Sequence, residues 1–390
     1  MADNYVLILF GNISGYNIAS VLSGSGYKSI CFTPHNFKEY STPVAKFYKN
    51  SSHFYRIKYS NYNIQEDEFV DELIIFLKEL SSPEPILTFM TSDIGLYFWM
   101  NNKEKLSPYM VVESTNFRTA FYKNEFFSQL KDKDIPFPVT YNSIEEVTSF
   151  PVIVKPAYKG YENDFDNIFG AKSKLIDNVN DLSSLKKLNI ANLVFQQKID
   201  FKEGNEYSWF GYRDENDNII SVTAKHRAKY PDKMGRITHT ELVSEPDLKI
   251  AGEKIIRAIN YIGIADIQFI FDEERKTFKV IEMNPRIWCS HEILPMNGIN
   301  LIKHRVNNHY RLNDNSYDRH GEFQELEKLS NTPLSKNWYS IMYFIGRFSL
   351  FFKLKQTEYY NLKSENLITR LKLKLFLVAK YIGHSINKVD

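Results

Sequence analysis

The chain lacks several features that mark particular protein classes, and cysteine is the scarcest of its reactive residues. Its 390 residues include only two cysteines, Cys31 and Cys289, which are far apart and match no metal or redox spacing. A reducing, cytoplasmic compartment is therefore expected. The N-terminus has neither the basic start nor the small-residue cleavage site of a signal peptide. No stretch reaches the roughly 18 to 20 apolar residues of a membrane span.

An excess of charge of one sign is also lacking, because the formal net charge is only +2. This balance gives no sign of a nucleic-acid partner, and none is predicted. A hydrophobic content of 43% with 25% charged residues excludes wholesale disorder and is typical of a globular protein. A chain of this length is long enough for two or three domains.

The first part of the chain alternates apolar strands with helices. A continuous β-prone run from Tyr5 to Phe10 is typical of a strand in a parallel sheet buried on both faces. A helix is predicted from about Ser14, and "DEFVDELIIFLKEL" and "PEPILTFM" predict a further helix and a further buried strand. These elements indicate an open α/β domain over residues 1–112. The first loop has Gly11 and Gly15 in GxxxG rather than GxGxxG, which argues against a dinucleotide site.

A second unit of a different class follows the Pro-punctuated segment at residues 132–140. "FPVIVKP" and "LVFQQKID" predict strands, and "EYSWFGYRD" with "IISVTAKHR" predicts a hairpin around a polar turn. Strands that pair as hairpins with few intervening helices indicate an α+β domain, assigned to residues 113–310. The predicted fold class is therefore α/β followed by α+β.

Polar side chains cluster in the hairpin predicted from "GIADIQFIF" and "FKVIEMN". Asp266 and Gln268 share a face of the first strand, and Glu282 and Asn284 share a face of the second. With the turn centred near Arg275, Gln268 lies opposite Glu282 to within one residue of register. Oxygen donors of this kind suit Mg²⁺ or Mn²⁺, so the metal-ligand set Gln268, Glu282 and Asn284 is predicted. A solvated hairpin face is the alternative.

Cationic side chains complete the candidate site. Lys155 ends an apolar strand and, beside a metal platform, is interpreted as a charge directed at phosphate, with Lys123 as a second one. Snorkelling of Lys155 to solvent is the alternative. Arg286, just past the metal residues, offers a planar fork for a phosphate or acyl phosphate.

These motifs together resemble those of a known family. The order Lys123, "VIVKP", "FQQKI", "NEYSWFGY", "ADIQFIFD" and "IEMNPR" is similar to that of the ATP-grasp superfamily of carboxylate–amine ligases, over about residues 90 to 300. The spacing of Gln268, Glu282, Asn284 and Arg286 resembles the carbamoyl-phosphate synthetase large-subunit and biotin carboxylase motifs. "TSDIGLYFWMNNKEKL" and "KHRAKYPDKMG" resemble a branch similar to D-aspartate ligase.

The resemblance implies a fold and a set of roles. The N-terminal domain would be a pre-ATP-grasp domain, followed by an ATP-grasp fold with ATP between two lobes. Lys123 and Lys155 would approach the ATP phosphates, and Glu206 would accept hydrogen bonds from the ribose hydroxyls. Arg286 would steady the transferred phosphoryl group and, with Lys155, act in catalysis. The strand edge that pairs with adenine would be formed by Gln197, Lys198 and Ile199.

The implied activity is ATP- and Mg²⁺-dependent joining of a small-molecule carboxylate to an amine through an acyl phosphate. Two alternatives stay open: a catalytically silent ATP-binding protein, and a carboxylase or carbamoyl-phosphate-type enzyme. The sequence departs from the family in its phosphate flap, because "AYKGYENDFDNIFGAKSK" has only Gly160 and Gly170. The flap residues are therefore left unassigned.

Two basic segments remain. "KHRAKYPDKMGRITHTE" is interpreted as a loop after a strand, either solvated or a lid in which Lys225 and Arg227 recognise an anionic acceptor. Residues 331–390 contain ten Lys and Arg against three Asp and Glu, a local charge of +7 against −5 for the remainder. A helical basic extension is predicted over residues 311–390. Its helices suit either packing on the main body or peripheral contact with a membrane surface through 331–390.

Overall fold

The computed structural model describes residues 4–35, 52–158, 160, 165–169, 172–185, 192–202, 204–230, 236–311, 316–334 and 337–339. Strands β1 to β15 span Tyr5–Leu9, Lys28–Thr33, Arg56–Tyr59, Ile86–Met90, Met110–Val112, Thr140–Tyr141, Val152–Pro156, Lys174–Ile176, Leu193–Gln197, Glu206–Arg213, Ile219–Tyr230, Arg236–Val243, Gly263–Asp272, Thr277–Asn284 and Asn337–Tyr339. Helices α1 to α10 span Ile13–Leu22, Asp67–Glu79, Asp93–Leu106, Phe117–Phe121, Lys123–Leu130, Phe165–Phe169, Pro246–Ala258, Ile293–Met296, Leu301–Tyr310 and Arg319–Ser330. Short 3₁₀ segments span Val179–Leu185 and Cys289–Glu292.

The described residues of 1–113, 287–323 and 336–390 form one compact unit. Its sheet has the order β3-β2-β1-β4-β5, and every neighbouring pair is parallel. All five residues of β1 are buried, as expected for an apolar strand covered on both faces. The side chains of Asn12 and Ser92 cap α1 and α3 by accepting hydrogen bonds from Gly15 and Gly95, which fixes where the helices begin. The predicted open α/β fold is confirmed.

Residues 287–323 belong to this unit although they follow the second one in sequence. The Arg305 Nε atom donates to the Glu113 carbonyl at 2.8 Å, and the Tyr310 hydroxyl donates to the Tyr5 carbonyl. These contacts attach α9 to the edge and the first strand of the parallel sheet. The sequence analysis assigned residues 113–310 to a single domain, whereas the packing groups their last segment with the N-terminal sheet.

The described residues of 114–286 and 324–335 form the second unit. A four-stranded antiparallel sheet has the order β6-β9-β7-β8. Strands β14, β13, β10, β11 and β12 lie side by side in that order and are also antiparallel. The α+β class of this part of the chain is therefore confirmed. Lys155 of β7 reaches the backbone of β14 and so connects the two sheets.

Trp209 fills the core between the β10–β13 strands and α7. Its indole is fully buried, and the space around it exists because Gly211 and Gly252 have no side chains. A Cβ atom at Gly252 would lie 2.2 Å from the indole Cγ and Cδ1 atoms, and one at Gly211 would lie 2.3 Å from the Cη2 atom. Helix α7 can therefore approach the sheet this closely only with glycine at position 252.

We expect Gly252→Ala to destabilise the chain. An exposed helical site would gain about 1 kcal/mol from this change, whereas the overpacking against Trp209 costs about 1–3 kcal/mol, so the sign of the effect reports the packing. The measurement is thermal unfolding followed by circular dichroism. Ile250→Ala in the same helix is the control, because that side chain is 64% exposed and its truncation should change the free energy of unfolding by less than about 0.5 kcal/mol. A Gly252→Ala chain as stable as the wild type would contradict this packing.

The structure describes parts of both basic segments. The interpretation of the first as a loop is wrong over both of its described parts, because residues 225–230 lie within β11 and residues 236–241 lie within β12. Pairing with β12 sets Lys225 opposite Glu241. Opposite charges on facing residues stabilise the pairing of two strands. Residues 231–235 lie outside the described part, as does most of the predicted basic extension, of which α10 and β15 are described. No helix within the described ranges is long and apolar enough to cross a membrane.

Candidate functional site

The hairpin of β13 and β14 brings the predicted metal residues together. Its register places Gln268 opposite Glu282 and Asp266 opposite Asn284. The pairing shifts by one residue after Gln268, so that Ile281 is an extra residue in β14. A bulge of this kind bends the strand and leaves the backbone of the extra residue outside the regular ladder. The predicted convergence of these side chains is therefore seen at the backbone level.

The Lys155 side chain contacts the backbone at the bulge. Its ammonium donates to the Ile281 carbonyl at 2.9 Å, which holds the lysine beside Glu282. Burial lowers the pKa of the Lys155 ammonium, the Glu282 carboxylate opposes this, and the positive charge of Lys123 adds to the lowering, which leaves a pKa of about 8. Lys155, Lys123 and Glu282 are thus close enough to act on one another electrostatically. The cationic and anionic halves predicted from sequence form one cluster.

Lys123 reaches this cluster from a helix. It is the first residue of α5, and its backbone N–H donates to the Ala157 carbonyl, just past the end of β7, at 2.9 Å. That bond ties the start of the helix to the end of the strand that carries Lys155. The two lysines therefore come from different elements whose ends are joined.

Asp266 is the residue that the sequence analysis missed as part of the site. It is buried, and its Oδ2 atom accepts from Gln268 Nε2 at 3.2 Å and from Asn284 Nδ2 at 3.0 Å, while its Oδ1 atom accepts from Ser208 Oγ at 2.7 Å. Burial raises the pKa of the Asp266 carboxyl to about 6, although the three hydrogen bonds oppose this rise. Its place on the same strand face as Gln268 was visible in the sequence. The bonds it makes to both carboxamides were not.

Arg286 lies next to the same cluster. Its Nη2 atom is 3.3 Å from Asn284 Oδ1, to which it donates. The guanidinium is therefore held near the end of β14, two residues beyond Asn284. This position suits the predicted contact with a phosphoryl group, because a guanidinium presents several N–H donors in one plane.

The strand edge expected to pair with adenine is partly committed to other contacts. The N–H group of Gln197 donates to the Val139 carbonyl at 2.8 Å, and that of Lys198 donates to the Pro151 carbonyl at 3.0 Å. Neither N–H can therefore donate to a base in this arrangement. A base at this edge would have to use Ile199 or backbone carbonyl groups.

The remaining predicted binding residues have protein partners. Glu206 forms an ion pair with Lys229, and both side chains are largely buried. Arg227 pairs with Glu241 at 2.6 Å, and the Lys225 ammonium lies 4.9 Å from the centre of the Tyr207 ring. A ribose bound by Glu206 would therefore compete with Lys229 for the carboxylate.

The donor set fits a hard divalent cation that is also held by substrate phosphates. Within the described residues no group of three or more His, Cys, Asp and Glu side chains could hold a metal ion. The oxygen donors are instead one carboxylate, from Glu282, and the carboxamides of Gln268 and Asn284, whose nitrogens face Asp266. Mg²⁺ is commonly held by one or two carboxylates together with phosphate oxygens, which matches this set.

Comparison with known proteins finds related sequences for a large part of the chain. Residues 140–314 match the family model for the carbamoyl-phosphate synthase L chain, ATP binding domain. The carbamoyl phosphate synthase large chain of Thermoanaerobacter sp. (strain X514) is 26% identical over 234 residues, which cover 53% of this chain and 21% of that protein. The large chain of Methanothermobacter thermautotrophicus is 26% identical over 238 residues. This chain thus spans about a fifth of the length of the curated relatives it matches.

Solved structures extend the similarity to the fold of more of the chain. An L-amino acid ligase from Bacillus licheniformis has a TM-score of 0.59 at 17% identity, over 79% of this chain and 74% of that one. A biotin carboxylase from Campylobacter jejuni has a TM-score of 0.59 at 14% identity, over 78% and 70%. At these identities the likeness shows the fold alone. The family match therefore covers residues 140–314, and the solved structures extend the likeness in fold to more of the chain.

Proposed function

We propose that the protein is an ATP- and Mg²⁺-dependent ligase that joins a carboxylate to an amine through an acyl phosphate and releases ADP. The observation that carries this proposal is the hairpin with Glu282 opposite Gln268 and with the Lys155 ammonium on the bulge between the two strands. Fold similarity to an L-amino acid ligase and the match to an ATP-binding domain support it. A small-molecule acid and a small-molecule amine are the proposed partners, in the cytoplasm.

The chemistry follows from charge and position. A substrate carboxylate oxygen attacks the γ-phosphorus of ATP, the bond to the ADP oxygen breaks, and the amine then attacks the acyl carbon and displaces phosphate. Lys155 and Lys123 would offset negative charge on the phosphates, and Arg286 would hold the transferring phosphoryl group. Glu282, Gln268 and Asn284 would hold Mg²⁺, which would supply positive charge against the negative charge that develops on the phosphates. None of these steps needs a covalent protein nucleophile.

Nucleotide binding is the first test. We expect ADP or ATP with Mg²⁺ to raise the melting temperature, because a ligand that binds only the native state stabilises it by mass action, by about 2.7 kcal/mol at 100 times its Kd. The measurement is differential scanning fluorimetry with Mg²⁺ alone and with each nucleotide alone as controls. No shift at millimolar nucleotide with Mg²⁺ would contradict the proposal.

The activity test is a screen of acid and amine pairs for ATP-dependent phosphate release, with mass spectrometry of the product. An amide product with ADP and phosphate supports the ligase. Nucleotide binding without phosphate release from any pair favours a catalytically silent ATP-binding protein. Release that depends on bicarbonate in every case favours a carboxylase or carbamoyl-phosphate-type enzyme.

The affinity for nucleotide should fall as the pH rises from 7.5 to 9. The pKa of Lys155 is lowered to about 8, so its ammonium is charged below this pH and loses its proton above it, and a neutral amine no longer attracts phosphate. We expect a several-fold increase in the Kd of ADP measured by calorimetry over this range. Lys155→Arg is the matched variant, because a guanidinium stays charged throughout. The same pH dependence in Lys155→Arg would show that another group is responsible.

We also propose that Lys225 and Arg227 contact an anionic acceptor. They lie two residues apart on β11, a strand of the same sheet as β13 and β14. Because Arg227 is already paired with Glu241, an acceptor carboxylate would have to exchange with Glu241 or share the guanidinium with it. The trapping experiment in the Discussion tests this assignment.

A further inference from the structure

Asp266 accepts hydrogen bonds from the side-chain nitrogens of both Gln268 and Asn284. Its Oδ2 atom accepts from Gln268 Nε2 at 3.2 Å and from Asn284 Nδ2 at 3.0 Å. A carboxamide has one oxygen that can coordinate a metal and one nitrogen that cannot, because both nitrogen hydrogens make it a donor. A carboxylate is an acceptor only, so a side chain that turns to Asp266 must present its nitrogen. The oxygens of Gln268 and Asn284 are thereby directed away from Asp266. That of Asn284 accepts from Arg286 Nη2 at 3.3 Å, so a bound metal would share this oxygen with the guanidinium or displace it.

Asp266 is itself held by a chain of buried side chains that crosses the sheet. Ser208 Oγ on β10 donates to Asp266 Oδ1 at 2.7 Å. Since that hydroxyl uses its only proton on Asp266, it accepts from His226 Nε2, which is 2.9 Å away on β11. The imidazole then carries its proton on Nε2, and its Nδ1 accepts from Thr240 Oγ1 on β12 at 3.2 Å. Every donor in the chain points towards Asp266.

The side chains of this hydrogen-bonded series are buried, so breaking one of its hydrogen bonds costs free energy. Ser208 and Thr240 are fully buried, and His226, Asp266 and Asn284 are at most 6% exposed. Burial lowers the pKa of the His226 imidazole to about 3, so the ring is neutral and fits the single-proton arrangement described above. In such surroundings each hydrogen bond polarises the next. A buried polar group left without its partner destabilises the fold by its full desolvation free energy.

We propose that Asp266 is a positioning residue that orients the carboxamide oxygens of Gln268 and Asn284 towards the metal, and that Ser208 and His226 fix Asp266 for this task. The proposal rests on the proposed function, because it concerns how the chain's own residues meet Mg²⁺. Asp266 acts through the two carboxamides and does not itself coordinate the ion. Partners of this kind typically change metal affinity 10- to 100-fold when they are removed.

The test measures the gain in ADP affinity that Mg²⁺ provides, as the ratio of the Kd values of ADP without and with Mg²⁺, in the full-length chain. Asp266→Asn has the same size but offers an amide to the two carboxamides, so we expect the gain to fall at least about tenfold. The Kd of ADP without metal should stay within about twofold, because Asp266 is buried and both of its oxygens already accept hydrogen bonds from protein side chains. An equal loss of both affinities, or an unchanged gain, would overturn the proposal.

A second test removes one hydroxyl group and should reduce the Mg²⁺ gain by less. Ser208→Ala removes the bond to Asp266 Oδ1 and should reduce the Mg²⁺ gain about three- to tenfold, the range for one buried hydrogen bond. Ser221→Ala is the matched control, because Ser221 is also buried in this sheet and its Oγ donates to a carboxylate, Glu253, at 3.0 Å. It should leave the gain unchanged. Equal effects of the two deletions would overturn the role of Ser208.

A double-mutant cycle separates positioning from direct coordination. If Asp266 acts through Asn284, the loss in Asp266→Asn/Asn284→Ala should be smaller than the product of the two single losses. Multiplicative losses would show that Asp266 acts independently of Asn284 and would overturn the proposal. A wild-type chain that binds ADP equally with and without Mg²⁺ overturns the metal assignment together with this inference. A wild-type gain that Asp266→Asn retains overturns the inference alone.

Discussion

Glu282→Gln is expected to lower ATP turnover by about 10²- to 10³-fold while leaving the fold intact. Glu282 supplies the one carboxylate among the predicted ligands, and its replacement removes most of the negative charge that compensates the metal. Loss of several kcal/mol of transition-state charge stabilisation corresponds to about a 10²- to 10³-fold loss of kcat, at about 1.4 kcal/mol for each tenfold. The side chain is partly exposed and glutamine has the same size, so the packing of β14 should not change.

The measurement is phosphate release with the acid and amine pair found by the screen, together with the melting temperature. Glu274→Gln is the matched control, because it makes the same change at an exposed position in the turn of the same hairpin. It should leave turnover and melting temperature unaffected. Near-normal turnover of Glu282→Gln would show that the metal assignment is wrong.

The register of β13 with β14 could be predicted from sequence, because the two strands are close together along the chain. "GIADIQFIF" and "FKVIEMN" are separated by a short charged turn, so the antiparallel pairing and the two-residue alternation largely decide which residues lie opposite one another. Gln268 and Glu282 were placed correctly for this reason. The bulge at Ile281 was not predicted, because an extra residue in one strand leaves no mark in the apolar pattern. Without the bulge, the bond from Lys155 to the Ile281 carbonyl could not be foreseen.

Contacts between distant segments explain the other differences. Ser208, His226 and Thr240 come from three strands, and only the sheet order β13-β10-β11-β12 brings them into line with Asp266. The composition of "KHRAKY" suggested a loop, yet the pairing of β11 with β12 makes it a strand. Such tertiary pairing overrides local composition, as it commonly does for strands.

The second large effect concerns the order of the chemical steps. If an acyl phosphate forms first, the enzyme with ATP and its acid alone should form an intermediate that hydroxylamine traps as a hydroxamate. We expect Arg286→Ala to suppress trapping by about 10²- to 10³-fold, because the guanidinium acts on the phosphoryl group before the amine arrives. Its position, 3.3 Å from Asn284 Oδ1 at the end of the metal platform, is the structural reason. Arg275→Ala, at an exposed arginine in the turn of the same hairpin, should trap normally.

Variants on β11 should impair the second step of the reaction and leave the first intact. Lys225→Ala and Arg227→Ala should leave hydroxamate formation largely intact yet lose amide formation, because they would remove contacts to the acceptor only. Loss of trapping in these variants to the same extent as in Arg286→Ala would place them at the acid or the ATP instead. Trapping that proceeds normally in Arg286→Ala would remove this residue from the phosphoryl step. A requirement for bicarbonate in every turnover would replace the amide-ligase assignment with a carboxylase, because the first acid to be phosphorylated would then be bicarbonate rather than an organic carboxylate.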